Sequence, residues 1–217
     1  MITDIIFDLD GTLVDSAEDI IQCLERAYVA ASFPQPVKVE KSFIGPPLNE
    51  LIRLVSPAIS GHEAAAVQKK FRTFYDGSKL DRTTFKEGAQ DTLELLQAMN
   101  RKMYLVTNKP KMPTEIILNN LKIDCFCDII TPDMQPGRTL SKPEMVALVM
   151  RKWGLDSRRT GMVGDTAHDV HAARENGIIS IIVTNGYGDE PSIRESRPEY
   201  IIENLGSFNS IISHILN

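Results

Sequence analysis

Residues 5–13 read Ile5-Ile6-Phe7-Asp8-Leu9-Asp10-Gly11-Thr12-Leu13. The three leading apolar residues form a continuous run, which is typical of a strand covered on both faces of a parallel sheet. The run ends in two carboxylates, Asp8 and Asp10, which lie on the same side of an extended chain. Such carboxylates repel each other unless a cation or a proton lies between them, and Gly11 permits a sharp turn that exposes them. An Asp-Gly turn alone does not explain an apolar strand that leads directly into this pair.

The rest of the chain alternates between strand and helix patterns. Further short apolar runs lie at residues 103–106, 129–130, 162–163, 178–183 and 200–202. Helical patterns lie between them at residues 89–99, 114–121, 144–153 and 170–176. Gly177 is a suitable C-terminal stop for the last of these helices. This alternation predicts an α/β fold with a doubly wound, Rossmann-like parallel sheet, and the apolar spacing at 208–216 predicts a final packing helix.

One region, residues 15–82, departs from this alternation. It has no convincing strand, and its helical patterns lie at residues 17–31, 48–55 and 64–75, with turn-rich pieces at 33–36 and 45–47. A helical cap domain inserted after the first strand is the simplest interpretation. We therefore predict an α/β core of residues 1–14 and 83–217 and a helical cap domain of residues 15–82.

Composition limits the classes of protein that the chain can belong to. The 217 residues carry a net charge of −5, and no clustered basic face indicates nucleic-acid binding. No stretch reaches the roughly 18 apolar residues of a membrane span, and Asp4 lies where a signal peptide carries Lys or Arg. Three cysteines are too few for a disulfide scaffold, so buried free thiols are expected. We therefore expect a cytoplasmic protein that binds neither nucleic acid nor a membrane.

Two more polar sites follow predicted strands or begin predicted helices. Thr107 and Asn108 come directly after the run at 103–106, where a hydroxyl and an amide can hold a phosphoryl oxygen; on its own the pair also fits an ordinary loop. Lys142 precedes Pro143, which suits the first position of a helix, so the lysine is placed to meet an anion at the helix N-terminus. Taken alone, Lys142 equally fits a solvated surface lysine.

Acids also follow the run at 162–163. Asp165 and Asp169 lie in the segment beginning at Gly164, and both could approach the cation that Asp8 and Asp10 need. Magnesium with one to three carboxylates, waters and substrate oxygens is the natural species. Asp169 could instead, or also, be the N-cap of a helix that begins at Val170. His168 between them fits a surface or supporting position better than a direct role.

In this order, the motifs Asp8-x-Asp10-Gly-Thr, Thr107, Lys142 and Gly164-Asp165-x-x-x-Asp169 resemble the haloacid-dehalogenase-like hydrolase superfamily. The resemblance implies that Asp8 attacks phosphorus and that Asp10 is the general acid and base. It implies that Thr107 and Lys142 bind the transferring phosphoryl group. The implied magnesium site comprises Asp8, the backbone carbonyl of Asp10, and Asp165, with Asp169 supporting the metal waters or Lys142.

Three further stretches look like phosphoglycolate phosphatases. They read Thr107-Asn108-Lys109-Pro110, Asn185-Gly186-Tyr187-Gly188 and Phe43-Ile44-Gly45-Pro46-Pro47-Leu48. This resemblance implies a small phosphorylated metabolite as substrate, bound by Thr107, Asn108 and Lys142 in the core. On the cap, Gly45 and Arg53 are expected to contact it, with Phe43 and Lys41 as further candidates and the Gly45 loop equally readable as a helix–helix turn.

Asp10 separates this interpretation from related chemistries. Dehalogenases of the superfamily lack an acid two residues after the nucleophile, and its carbon–phosphorus hydrolases have alanine there. A sugar phosphomutase similar to beta-phosphoglucomutase shares all the core motifs and stays an alternative. A non-enzymatic phospho-acceptor domain also pairs strand-end aspartates with Thr and Lys, but it is much shorter and lacks a helical insert. A purely structural role would leave the acids unexplained.

Overall fold

A computed structural model describes residues 2–33 and 39–208. Its main sheet has six parallel strands in the order β5-β4-β1-β6-β7-β8, and two short strands form a separate antiparallel ribbon. The strands are β1 (Asp4–Phe7), β2 (Val14–Asp15), β3 (Thr84–Phe85), β4 (Lys102–Val106), β5 (Asp128–Ile130), β6 (Thr160–Gly164), β7 (Ile179–Val183) and β8 (Tyr200–Ile202). All six predicted strands are confirmed in the main sheet.

Eight α-helices are found in the described part of the chain. They are α1 (Ala17–Ala30), α2 (Leu48–Val55), α3 (Gly61–Asp76), α4 (Ala89–Ala98), α5 (Lys111–Leu121), α6 (Lys142–Trp153), α7 (Ala167–Glu175) and α8 (Glu190–Ser196). Each predicted helix is found except the one at 208–216, which lies outside the described residues apart from Phe208. The predicted turn at 33–36 likewise falls outside them after Phe33. Helix α8 and the ribbon β2–β3 were not predicted. No helix in the described ranges is long and apolar enough to span a bilayer.

Alternate side chains of the central strands enter different apolar cores, because successive strand residues point to opposite faces. Ile5 and Phe7 pack in the core that includes residues of α1, α2, α3, α4 and α5. Ile6 packs in a second core with α6 and α7. Burial of the sheet on both sides explains the continuous apolar runs of its strands and confirms the doubly wound fold.

The ribbon joins the helices α1–α3 to the sheet. Strand β2 leads into α1 and pairs with β3, which returns from α3, so the two connections run side by side. Helix α1 packs against α3, with Arg26 lying 4.5 Å above the ring of Phe74. The insert therefore leaves and re-enters the core through one narrow connection, close to the end of β1.

The cysteines differ in their exposure. All three are free thiols, and only Cys23 is buried. Cys125 is half-buried and Cys127 is exposed, because both lie in the connection that enters β5 rather than in a core element. The expectation of three buried thiols is wrong for these two.

Candidate active site

The carboxyl ends of three neighbouring strands bring the predicted residues together. β1 pairs with both β4 and β6, so that Phe7 lies opposite Leu105 on one side and Val163 on the other. Asp8 follows β1 and donates its backbone N–H to Val163 O over 2.9 Å. Thr107 follows β4 and Asp165 follows β6, and all three side chains are buried. This is the edge at which open parallel sheets bind ligands.

Lys142 reaches this edge from the start of α6. Its Nζ lies 2.8 Å from Asp8 Oδ1 and 2.5 Å from Asp169 Oδ1, and its side chain is only 5% exposed. Burial lowers the pKa of this ammonium, but the charges of Asp169 and Asp8 outweigh burial and raise the pKa overall. The lysine is therefore a fixed cation and not a surface residue. Lys142 is itself the first helical residue and Pro143 the second, because Ser141 caps the helix; the sequence interpretation placed Pro143 first.

Asp169 belongs to the first turn of α7. The helix begins at Ala167 with Thr166 as its N-cap, so the expectation of an Asp169 cap before Val170 is wrong. Thr166 and Asp169 form a reciprocal capping box. Asp169 Oδ2 accepts hydrogen bonds from the N–H of Asp165, the N–H of Thr166 and the Thr166 hydroxyl, at 3.2, 3.0 and 2.8 Å. His168 lies half-buried beside it in the same turn.

Asp165 is held on both of its oxygens. Thr12 Oγ1 donates to Oδ1 over 3.0 Å, and the backbone N–H of Tyr187 donates to Oδ2 over 2.7 Å. A Cβ added at Gly11 or at Gly186 would overlap the Asp165 side chain. Gly11 also has a φ of +83°, in the left-handed region that other residues rarely adopt. The chain therefore needs glycine at both positions for the carboxylate to lie here.

The Tyr187 hydroxyl connects this carboxylate to the start of the insert. It accepts hydrogen bonds from the N–H groups of Ser16 and Ala17 at 2.7 and 3.0 Å, and it donates to Asp15 Oδ1 over 2.9 Å. Because Tyr187 N also binds Asp165, one residue fixes both a buried acid and the first turn of α1. The Asn-Gly-Tyr-Gly stretch thus has a structural explanation.

The buried acids fit a divalent cation. Ligand atoms of Asp8, Asp165 and Asp169 all lie within 4.8 Å of one another. Burial, Asp169 and Asp165 raise the pKa of Asp8 well above its usual value against the opposing charge of Lys142. Burial and Asp169 raise the pKa of Asp165 to about 7. Hard carboxylate oxygens are the ligands that Mg²⁺ prefers, and a bound cation would offset the repulsion that raises these pKa values.

Asp10 lies apart from this cluster, half-buried on the side of the insert. Its Oδ1 accepts a hydrogen bond from the Ser16 hydroxyl and lies 3.1 Å from Lys109 Nζ. The Lys109 side chain is only 3% exposed, and its ammonium also donates to the hydroxyl of Tyr75. Sequence reasoning quoted Lys109 only as part of a motif and missed Tyr75. The signal for Lys109 was its place directly after Thr107 and Asn108 at a strand end.

A cavity of about 280 Å³ lies between the insert and the core beside Asp10. Its lining includes Gly45, Asn108, Lys109, Arg72 and Tyr75. Asn108 Nδ2 donates to Gly45 O over 3.3 Å, which joins the insert loop to the end of β4.

The expected cations of the insert lie elsewhere. Arg53 is exposed on α2 and is not part of the cavity lining, and Phe43 does not line it either. Lys41 is exposed and pairs with Asp15 at 2.9 Å. Arg72 on α3 is the arginine that lines the cavity within the described ranges. Both arginines are exposed, and of the two only Arg72 lines the cavity.

Comparison with known proteins identifies the family of the chain. Residues 5–183 match the family described as haloacid dehalogenase-like hydrolase. A phosphoglycolate phosphatase of Vibrio parahaemolyticus is 30% identical over 220 residues, which cover 96% of this chain and 95% of that protein. One from Pseudomonas fluorescens is 31% identical over 211 residues, covering 93% and 76%. The solved structure of a haloacid dehalogenase-like family hydrolase from Streptococcus pneumoniae superposes with a TM-score of 0.87 at 26% identity, covering 97% of this chain and 98% of that one. The chain therefore belongs to the haloacid dehalogenase-like hydrolase family, as an enzyme similar to the phosphoglycolate phosphatases within it.

Proposed function

We propose that this enzyme hydrolyses a small phosphomonoester of the phosphoglycolate type through an aspartyl-phosphate on Asp8. The observation that carries the proposal is the meeting of Asp8, Lys142 and the acids after β6 at one sheet edge, with Asp10 between that edge and a cavity. A carboxylate is an established covalent nucleophile, and it divides one difficult displacement into two easier ones.

The first step transfers the phosphoryl group to the enzyme. An Asp8 carboxylate oxygen forms a bond to phosphorus while the bond from phosphorus to the ester oxygen breaks. Protonated Asp10 gives its proton to that departing oxygen, which leaves as an alcohol. Lys142 and Thr107 are proposed to bind the phosphoryl oxygens, because transfer depends mainly on positioning and neutralised charge.

The second step releases phosphate. Asp10, now a carboxylate, takes a proton from water as the water oxygen bonds to phosphorus, and the bond from phosphorus to Asp8 breaks. Inorganic phosphate leaves, and Asp8 and Asp10 return to their starting forms. General acid and base assistance of this kind is worth about 10² to 10⁴-fold in rate.

Magnesium is the proposed cofactor, held by Asp8, Asp165 and the backbone carbonyl of Asp10. When bound, the ion neutralises phosphoryl charge and orients the phosphate for in-line attack. Asp169 is proposed to support the site rather than to bind the ion. Its Oδ2 already accepts three hydrogen bonds and its Oδ1 faces Lys142.

The cavity supports a small substrate and a role for residues 15–82 as a cap domain. Asp10 lines the cavity, so an alcohol that Asp10 protonates would lie inside it. About 280 Å³ suits a short organic group. Arg72 lines the cavity, and it is proposed to bind a carboxylate on that group. A cap of this kind excludes water and adds contacts beyond the phosphate.

Phosphate release over a panel of small phosphomonoesters, with Mg²⁺ or with EDTA, tests the proposal. The wild type is compared with Asp8→Asn and with Asp124→Asn, an exposed aspartate that serves as the matched control. We expect Mg²⁺-dependent turnover led by phosphoglycolate, an inactive Asp8→Asn and an unaffected Asp124→Asn. Broad turnover would contradict phosphoglycolate as the specific substrate. Full activity of Asp8→Asn would contradict Asp8 as the nucleophile. Conversion of a sugar phosphate into an isomer would favour the mutase alternative.

A further inference from the structure

Lys109 is a buried cation that the proposed chemistry has not used. Lysine is almost never fully buried without a partner. Its Nζ lies 3.1 Å from Asp10 Oδ1, donates to the hydroxyl of Tyr75 and lies 4.6 Å from the centre of the Tyr75 ring. Its backbone N–H donates to Thr107 Oγ1 over 3.1 Å. The residue thus connects the end of β4, the proposed acid and helix α3.

We propose that Lys109 is a positioning residue that fixes the carboxylate of Asp10 for proton transfer, and that Tyr75 makes this positioning depend on the seating of α3 against the core. The proposal rests on the function proposed above. It assigns to Lys109 and Tyr75 the positioning of the acid, which the phosphate-binding residues do not provide.

The contacts on Asp10 support positioning. Lys109 Nζ and the Ser16 hydroxyl both bind Oδ1. In the described part of the chain neither of these donors binds Oδ2, which leaves that oxygen to exchange a proton with the leaving group. Two partners on one oxygen restrict rotation of the carboxylate. Proton transfer needs the acid within about 2.6–3.2 Å of the reacting oxygen, so loss of the restriction lowers the fraction of productive geometries.

Stability alone is a weak reason for this arrangement. Burying a charged pair costs desolvation that its attraction roughly repays, and such pairs are often replaceable by apolar residues without loss. A methionine would fill the same space beside the Tyr75 ring. A lysine at this position is therefore better explained by what it does to Asp10.

Tyr75 makes the positioning of the Asp10 carboxylate depend on where the insert lies. The residue is buried on α3 and supplies both a hydroxyl and an aromatic face to the ammonium. If α3 moved away from the core, Lys109 would lose both partners and would be free to leave Asp10. We therefore expect the acid to be in position when the insert is seated over a substrate.

The dependence of rate on the leaving group tests this role. An alkyl phosphate needs a proton from Asp10 as its bond breaks, whereas 4-nitrophenyl phosphate releases a stable phenolate. We expect Lys109→Met to lower kcat/KM for phosphoglycolate by about 10² to 10³-fold, within the range of general-acid effects, and for the aryl ester by less than about tenfold. With the aryl ester, Lys109→Met should release nitrophenolate in an initial burst while phosphoenzyme accumulates. The reason is that Asp10 also acts as the base in hydrolysis of the phosphoenzyme, and that step would be slowed.

Matched variants complete the experiment. Lys111→Met removes an exposed lysine of the same segment and should leave both substrates unchanged. Tyr75→Phe keeps the ring but removes the hydroxyl, and should shift the ratio of the two kcat/KM values in the same direction by a smaller factor. If Lys109→Met fails to fold, this variant still tests the contact between the Tyr75 hydroxyl and Lys109.

The outcomes separate this inference from the proposed function. Equal losses on both esters, or no loss on either, would overturn the positioning role of Lys109. An unchanged ratio in Tyr75→Phe would overturn the coupling to α3. A wild type that cleaves neither ester, or an active Asp8→Asn, would instead overturn the proposed function on which the inference rests.

Discussion

Replacing Asp165 by asparagine should stabilise the metal-free protein while removing its response to magnesium. The pKa of Asp165 is raised from 3.8 to about 7, so ionising it costs about 4 kcal/mol more in the folded protein than in the unfolded chain. Asparagine removes that charge and keeps both contacts, since its oxygen can accept from Tyr187 N and its amide can donate to Thr12 Oγ1. Because buried sites relax, we expect a gain of about 1–4 kcal/mol in the free energy of unfolding.

The sign of the pH dependence follows from the direction of the shift. The folded pKa lies above the unfolded value, so the unfolded chain releases this proton first and the wild type loses stability as pH rises from about 4 to about 7. The difference between Asp165→Asn and wild type should therefore be small near pH 4 and largest above pH 7.

Urea unfolding at pH 4.5 and pH 8, in EDTA and in Mg²⁺, measures both effects. A ligand at 100 times its Kd stabilises a protein by about 2.7 kcal/mol, and Asp165→Asn should lose most of any such gain. Asp124→Asn should match the wild type throughout. A variant less stable than wild type in EDTA at pH 8 would refute the reasoning about repulsion. An undiminished magnesium effect would refute Asp165 as a ligand.

Three other substitutions test the cavity and its supports. Arg72→Ala should raise KM for phosphoglycolate about tenfold, the equivalent of one charged hydrogen bond, without affecting 4-nitrophenyl phosphate; equal kinetics for Arg72→Ala and Arg53→Ala would contradict this. Tyr187→Phe removes a hydroxyl with three partners at the start of α1 and should cost about 1–3 kcal/mol in urea unfolding. Gly11→Ala forces a Cβ into the Asp165 side chain at positive φ; it should lower the melting temperature and abolish its rise with Mg²⁺, and a normal rise would count against the glycine requirement.

The sheet edge was predictable because local patterns determine where each strand ends. An apolar run followed by Asp8, Thr107 or Asp165 indicates both the strand and its terminus, and parallel pairing then brings the three ends together. The start of α7 was missed because Ala167 and His168 carry no apolar period. The pattern Thr166-x-x-Asp169, a capping box with aspartate in place of glutamate, was the available signal.

The residues that the insert contributes to the site could not be predicted from the sequence in the same way. Arg53 and Arg72 both lie on amphipathic helices beside buried apolar residues, and which of them faces the cavity depends on how α3 packs on α1 and on the core. Lys109 and Tyr75 meet although 34 positions separate them. Such pairings arise from tertiary packing, which no local period specifies.

Asp10 differs from the other acids of the site because its partners come from both the core and the insert. Asp8, Asp165 and Asp169 are held by core residues, including Lys142 and Thr12. Asp10 instead depends on Ser16, at the entrance to the insert, and through Lys109 on Tyr75 within it.

Under the proposed mechanism, this division separates phosphate chemistry from leaving-group chemistry. If it is correct, the helices α2 and α3 can change in sequence and select a different alcohol without disturbing the nucleophile or the magnesium ligands. They cannot change freely at the position of Tyr75, because that hydroxyl contacts the lysine beside the acid. Substrate choice and proton transfer are then coupled through one contact, and a chimera that exchanges residues 48–76 without a tyrosine at that position should lose more activity on alkyl esters than on aryl esters.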